Sequence, residues 1–199
     1  MPVTARGQEQ RSQIIAAAID VLSEEGLSGS STRKIANKAK VNQAMIMYYF
    51  GGKDGLLFAV QEEIMHRLRD ILSEKTRLDE GLRVALESGL EAFWDHVEST
   101  INYQMMQYEL AIYAIRTPCA NQLMERQYAG YRNVVEQMIR QSYKPSEHEN
   151  APWVEELAAF ILASMDGLIL QYIADRNSHR ARRVLHHVVE AAVAMAGEA

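Results

Sequence analysis

Little in this chain can crosslink it, break its helices or anchor it. Its one cysteine, Cys119, cannot close an internal disulfide, and a reducing cytoplasm fits that usage. Four prolines and eleven glycines among 199 residues leave few helix breakers. No apolar run reads as reaching the ~18–20 residues that a bilayer demands, so no membrane partner is expected. The opening Met1-Pro-Val-Thr-Ala-Arg6 lacks the apolar stretch of a signal peptide. Catalytic signatures are missing too: there is no phosphate loop, nucleophile elbow or metalloprotease motif. His186 and His187 are adjacent, which on a helix turns them about 100° apart and spoils a shared metal site. Neither an enzyme, a cofactor nor a metal is expected.

What is present is helix-forming. Hydrophobic residues make up 48% and charged residues 24%, ordinary for a domain that buries a core. Apolar spacing predicts helices near 8–25, 31–39, 43–50, 53–76, 79–98, 100–115, 118–143, 152–176 and 179–197, with no strand. The fold class is all-α: a three-helix head over residues 1–52, then a long helix leading into a larger body over 53–199, about nine helices in all.

The net charge of −5 is unevenly spread. Residues 1–53 hold seven Lys/Arg against four Asp/Glu, a balance of +3, while the remaining 14 basic and 22 acidic residues give −8. A basic head on an acidic body steers an anionic polymer to one end. Within the head, Ser31–Phe50 reads as two short helices joined by a tight turn, the layout of a helix-turn-helix. Ser31 or Thr32 caps the first helix and Asn42 the second, with Ile46 and Phe50 facing inward.

Side-chain chemistry suggests the roles in binding duplex DNA. Thr32, Arg33 and Lys53 are placed to hold phosphate. Gln43 can pair with adenine, and Ala44 or Met45 can touch a thymine methyl. Tyr48 and Tyr49 can reach phosphate through their hydroxyls, although Tyr49 equally suits the core. Arg6 sits in what reads as a flexible arm and, with Arg11, can approach the adjacent minor groove or backbone. Lys34, Lys38 and Lys40 equally suit a solvated face.

These residues, Ile14-Ile15 and Ala18, Gly26, Thr32, Ile35-Ala36, Val41, Tyr49-Phe50, Lys53 and Leu56, together resemble the TetR family of bacterial transcription regulators. Met165-Asp-Gly-Leu168 is a softer likeness. Against the family pattern, Lys40 stands in place of a turn glycine, which asks a non-glycine to adopt an unusual backbone angle. Asn42 replaces a serine cap, Met45 a small hydroxyl residue, and Met47 a tyrosine that often contacts phosphate.

The resemblance implies a repressor, a homodimer on double-stranded operator DNA and a small-molecule inducer. Two apolar stripes suit a four-helix interface: Phe160, Met165, Leu168 and Tyr172, then Leu185, Val188 and Val189. Such stripes equally suit burial in their own subunit. An inducer cavity would draw on Phe93, Trp94, Tyr103, Met106, Tyr108, Tyr113, Tyr128 and Tyr131, residues that on general grounds more often make plain core. Glu109 and Asp166 stand within apolar runs, where they could balance a cationic ligand; Asp166 equally suits a backbone bond near Gly167. A helical interaction protein and a ligand-independent activator are the competing readings.

Overall fold

The computed structural model describes residues 5–117, 121–142 and 153–197. Among them there is no strand. The helices are α1 (Ala5–Gly29), α2 (Thr32–Lys38), α3 (Ala44–Phe50), α4 (Lys53–Lys75), α5 (Leu82–Ser99), α6 (Ile101–Arg116), α7 (Asn121–Gln141), α8 (Trp153–Asp175) and α9 (Ser178–Met195), with a short 3-10 turn at Leu78–Glu80. The all-α architecture and the helix order match the expectation. Cys119 and the loop expected over 144–151 lie outside the described residues.

Local chemistry explains the joints. Gly26 takes φ 71°, ψ 174° and ends the regular part of α1, a conformation that costs glycine little. The Ser31 hydroxyl accepts from the Lys34 amide at 3.2 Å and starts α2. Gly51, at φ 70°, closes α3 with its amide on the Met47 carbonyl. α1 begins at Ala5, earlier than expected, so Arg6 lies in its first turn and not in a flexible arm.

The chain forms two compact units, residues up to His66 with Asn102–Gln127, and Arg67–Ile101 with residues from Tyr128 onward. In the first unit, Ile14, Ala18 and Leu22 of α1 pack with Ile35, Ile46, Leu56 and Val60. Met106 and Leu110 of α6 complete this core, 1% and 0% exposed. Each such side chain contributes about 1.5–3 kcal/mol by burial. The three-helix head is therefore finished by a helix that arrives some fifty residues later in the chain.

In the second unit Trp94 of α5 is fully buried, its ring edge-on to Tyr172 at 5.3 Å. The Trp94 Nε1 donates to Glu98 Oε1 at 2.9 Å, and Ser178 and Arg182 also donate to Glu98. Gly89 lets the Met138 thioether approach closely, since an added Cβ would lie 2.8 Å from its Sδ and oblige that flexible side chain to move. α8 is, against expectation, long and apolar enough to cross a bilayer by length and composition. It packs instead as a core helix, burying Leu157, Ile161, Met165, Leu168 and Tyr172, with α9 burying Leu185, Val188, Val189 and Ala192.

Candidate nucleic-acid interface

The turn between α2 and α3 is built by the backbone. The Ala39 amide bonds Ile35 O at 2.9 Å and the Val41 amide bonds Ala36 O at 3.0 Å, which folds the chain back on itself. That closure places Lys40 in the left-handed region at φ 54°, as its position in the turn demands. Asn42 Oδ1 then accepts from the Ala44 amide at 2.8 Å and opens α3.

α3 is anchored by Ile46, 1% exposed, with Met45, Tyr49 and Phe50 half-buried against the same core. This leaves Gln43, Ala44, Met47 and Tyr48 outward, at positions i, i+1, i+4 and i+5 of one helical face. Met47 is 64% and Tyr48 78% exposed. Water normally discourages such apolar display, so the face is shaped for contact. Ala44, not Met45, holds the outward place for a methyl contact.

The other expected residues divide clearly. Gln43 Nε2 donates to Thr32 Oγ1 at 2.9 Å, which orients the glutamine and ties the start of α3 to the start of α2. Lys53 Nζ donates to Ser30 O at 3.3 Å, holding the ammonium beside the start of α2. Arg33, Lys40 and Arg6 are exposed and make no ion pair among the described residues. Lys34 pairs with Glu25, and Lys38 with Glu24 at 3.1 Å, so these two are spent within the protein. Tyr49 turns inward, its hydroxyl 3.1 Å from Gln10 Oε1. Arg11 of α1 lies over the Phe50 ring of α3 at 5.3 Å and pairs with Glu62 at 3.9 Å, so it is engaged within the protein.

The residues expected to line a cavity fall in both units. In the first, Tyr103 and Met106 are buried core. Glu109 accepts the Leu27 amide at 2.5 Å, and the Tyr113 hydroxyl donates to Asp54 Oδ1 at 3.0 Å; Tyr108 is half-buried. In the second, Trp94 is core, while Phe93 and Tyr131 are half-buried. Tyr128 donates to Asp166 Oδ2 at 2.8 Å and stacks edge-on to Tyr131 at 6.0 Å. Burial first, then the Asp166 bond, push the Tyr128 phenol above its ordinary value and keep it a neutral donor. Asp166 thus accepts from a tyrosine hydroxyl, a partner that the sequence did not single out.

The expected interface stripe needs correction. Met165, Leu168, Tyr172, Leu185, Val188 and Val189 are all at most 9% exposed within the single chain, and Phe160 is half-buried. An apolar stripe fills its own core first. The outward faces are Ala159, Ala163, Leu170 and Ala174 on α8, and Val184, His187, Ala191 and Met195 on α9.

Comparison with known proteins identifies the family. Residues 14–60 match the model for bacterial regulatory proteins of the tetR family, and residues 82–195 match the tetracyclin repressor-like C-terminal domain. The chain belongs to the TetR family. It is a DNA-binding transcription regulator and not an enzyme. TetR relatives include the HTH-type nicotine-responsive transcriptional repressor HdnoR of Paenarthrobacter nicotinovorans, 27% identical over 92% of this chain and 93% of that protein. Among solved structures, a TetR transcription regulator from Haloarcula marismortui superimposes with TM-score 0.76 at 18% identity, over 94% of this chain and 98% of that one. The multidrug binding protein EbrR, complexed with imidazole, does so with TM-score 0.68 at 20% identity, over 92% and 89%.

Proposed function

We propose that this TetR-family chain is a homodimeric repressor, working in the cytoplasm, that leaves its operator when a small amphipathic ligand binds. The observation that carries it is the single outward face of Gln43, Ala44, Met47 and Tyr48, flanked by Thr32, Arg33, Lys40 and Lys53. In this reading Gln43 addresses a base edge, Ala44 and Met47 press on thymine methyls, and Thr32, Arg33, Lys53 and Tyr48 hold phosphate. Residues 1–52 read DNA and residues 53–199 sense the ligand and pair the subunits.

One head spans too few base pairs for useful specificity. Two heads reading half-sites about one turn, ~34–36 Å, apart supply it. The outward faces of α8 and α9 suit such pairing, because Ala159, Ala163, Ala174 and Ala191 allow close helix approach around Leu170 and Val184. Ligand control is supported by HdnoR, whose name describes a nicotine-responsive repressor. A ligand acts only through its different affinity for the DNA-bound and free states.

Selection of bound DNA from a random pool tests this reading. Enrichment of a twofold-symmetric site, with binding that falls steeply with salt, is expected. Failure to enrich any sequence favours a helical interaction protein.

A further inference from the structure

We infer that the first unit carries a binding site for the ammonium head of an organic amine, between α4 and the first turns of α7. This rests on the ligand-controlled reading above and assigns its ligand to a chemical class. The pocket has a volume of about 70 Å³ and is lined by Phe58, Gln61, Glu62, Met65, Arg126 and Gln127. Gln61 and Gln127 are 6% and 5% exposed. Gln61 Nε2 donates to Gln127 Oε1 at 2.8 Å. That bond leaves Gln61 Oε1 buried with no donor among the described residues. A buried acceptor without a partner is costly, so the pocket wall keeps a standing demand for one N–H or O–H.

The surrounding groups select the donor. Phe58 already holds a cation, since the Arg126 guanidinium lies 5.6 Å from its ring centroid. Arg126 is exposed, so an incoming cation can take its place and the ring keeps its cation–π partner. Glu62 adds a carboxylate and Met65 a polarizable sulfur. An ionised acid could pair with Arg126 but carries no proton for Gln61, so the buried acceptor would stay unmet. The space is roughly half that of a ~150 Å³ cavity that admits benzene, so it takes a substituted ammonium head while the body of the ligand leaves through the mouth. Gln61, Glu62 and Met65 share α4 with Lys53, within the unit that contains the reader helix. A head seated there bears directly on the helix that starts at the DNA.

Two probes isolate the donor. Protonated N,N-dimethylbenzylamine and benzyltrimethylammonium share charge and body, but only the first carries an N–H. Calorimetry on the full chain should show the first binding at least about tenfold tighter. Gln61→Leu should abolish that preference with helix content unchanged by circular dichroism, and Phe58→Leu should weaken both probes. If Gln61→Leu fails to fold, the volume-conserving Gln61→Met takes its place. Equal affinities, no heat from either probe, or a preference that survives without Gln61 overturns the site. Selection of DNA alongside separates the two readings. An enriched operator with no amine preference sinks the site alone, whereas amine preference without enriched DNA sinks the repressor alone.

Discussion

Glu109 of α6 accepts the Leu27 amide at 2.5 Å, and the same carboxylate would stand 3.0 Å from a Cβ added at Gly26. The end of α1 is thereby clasped by a helix far along the chain. Gly26→Ala brings both a positive-φ penalty and a crowded carboxylate, and should lower stability by about 1–2 kcal/mol. Glu109→Leu should cost about 1 kcal/mol, and Glu109→Gln, which keeps an acceptor, less. Chemical denaturation measures all three. An unchanged midpoint for Gly26→Ala would deny the clasp.

Lys40 holds φ 54° in the turn before the reader helix. A residue with a Cβ pays roughly 1–2 kcal/mol there, and glycine gives part of that back in chain entropy. Lys40→Gly should therefore stabilise the protein by about 0.5–1 kcal/mol, read as a raised melting temperature. The same substitution should weaken binding to every DNA sequence alike, since it removes an exposed charge.

Acid should destabilise the second unit in two steps. Burial first, and Arg67 next, hold the His96 pKa below its ordinary 6.5. The unfolded chain then takes the proton more readily, so this contribution is full above about pH 6.5 and is lost as pH falls through that value. At Glu98 burial raises the pKa, but bonds from Arg182, Ser178 and Trp94 outweigh it and hold the group below 4.5. Its contribution is present above 4.5 and is lost beneath it. Thermal melts between about pH 8 and pH 4 should fall in both windows, and His96→Gln should remove the first step only. A melting temperature that rises on acidification through the first window would contradict this.

The outward small-residue face of α8 should hold the dimer. Leu170, 50% exposed in the single chain, sits at its centre. Leu170→Arg should convert the dimer to monomer by analytical ultracentrifugation while leaving the folded helix content intact. Leu168→Arg should unfold the second unit instead, because Leu168 is 3% exposed. A dimer that persists in Leu170→Arg moves the interface elsewhere.

Helix order and the outward face of α3 were legible in sequence because each rests on local rules. Gly26 and Gly51 stop helices by conformation, Ser31 starts one by hydrogen bonding, and Ile46 fixes which side of α3 turns inward. The strain at Lys40 was legible for the same reason. Tertiary choices were not. Met106 and Leu110 repeat at helical spacing whichever core they fill, so nothing local assigned them to the head. Met165 and Leu185 read as an interface because an apolar stripe does not say whose core it enters. Ala163 and Ala174, the outward counterparts, are too plain to stand out. Arg11 read as available to DNA because its stacking on Phe50 joins residues 39 apart. The pocket beside Gln61 has no sequence signature at all, since its one distinguishing feature is a buried amide oxygen with no donor among the described residues.

The central claim is that the α3 face reads sequence while its neighbours hold phosphate. Binding of Gln43→Ala and Lys53→Ala to a panel of single-base variants of the selected operator tests it most directly. Gln43→Ala should flatten the preference at one position in each half-site by about 1–3 kcal/mol, and Lys53→Ala should weaken every member equally and shallow the salt dependence by about one. Equal loss across the whole panel for Gln43→Ala would contradict the account.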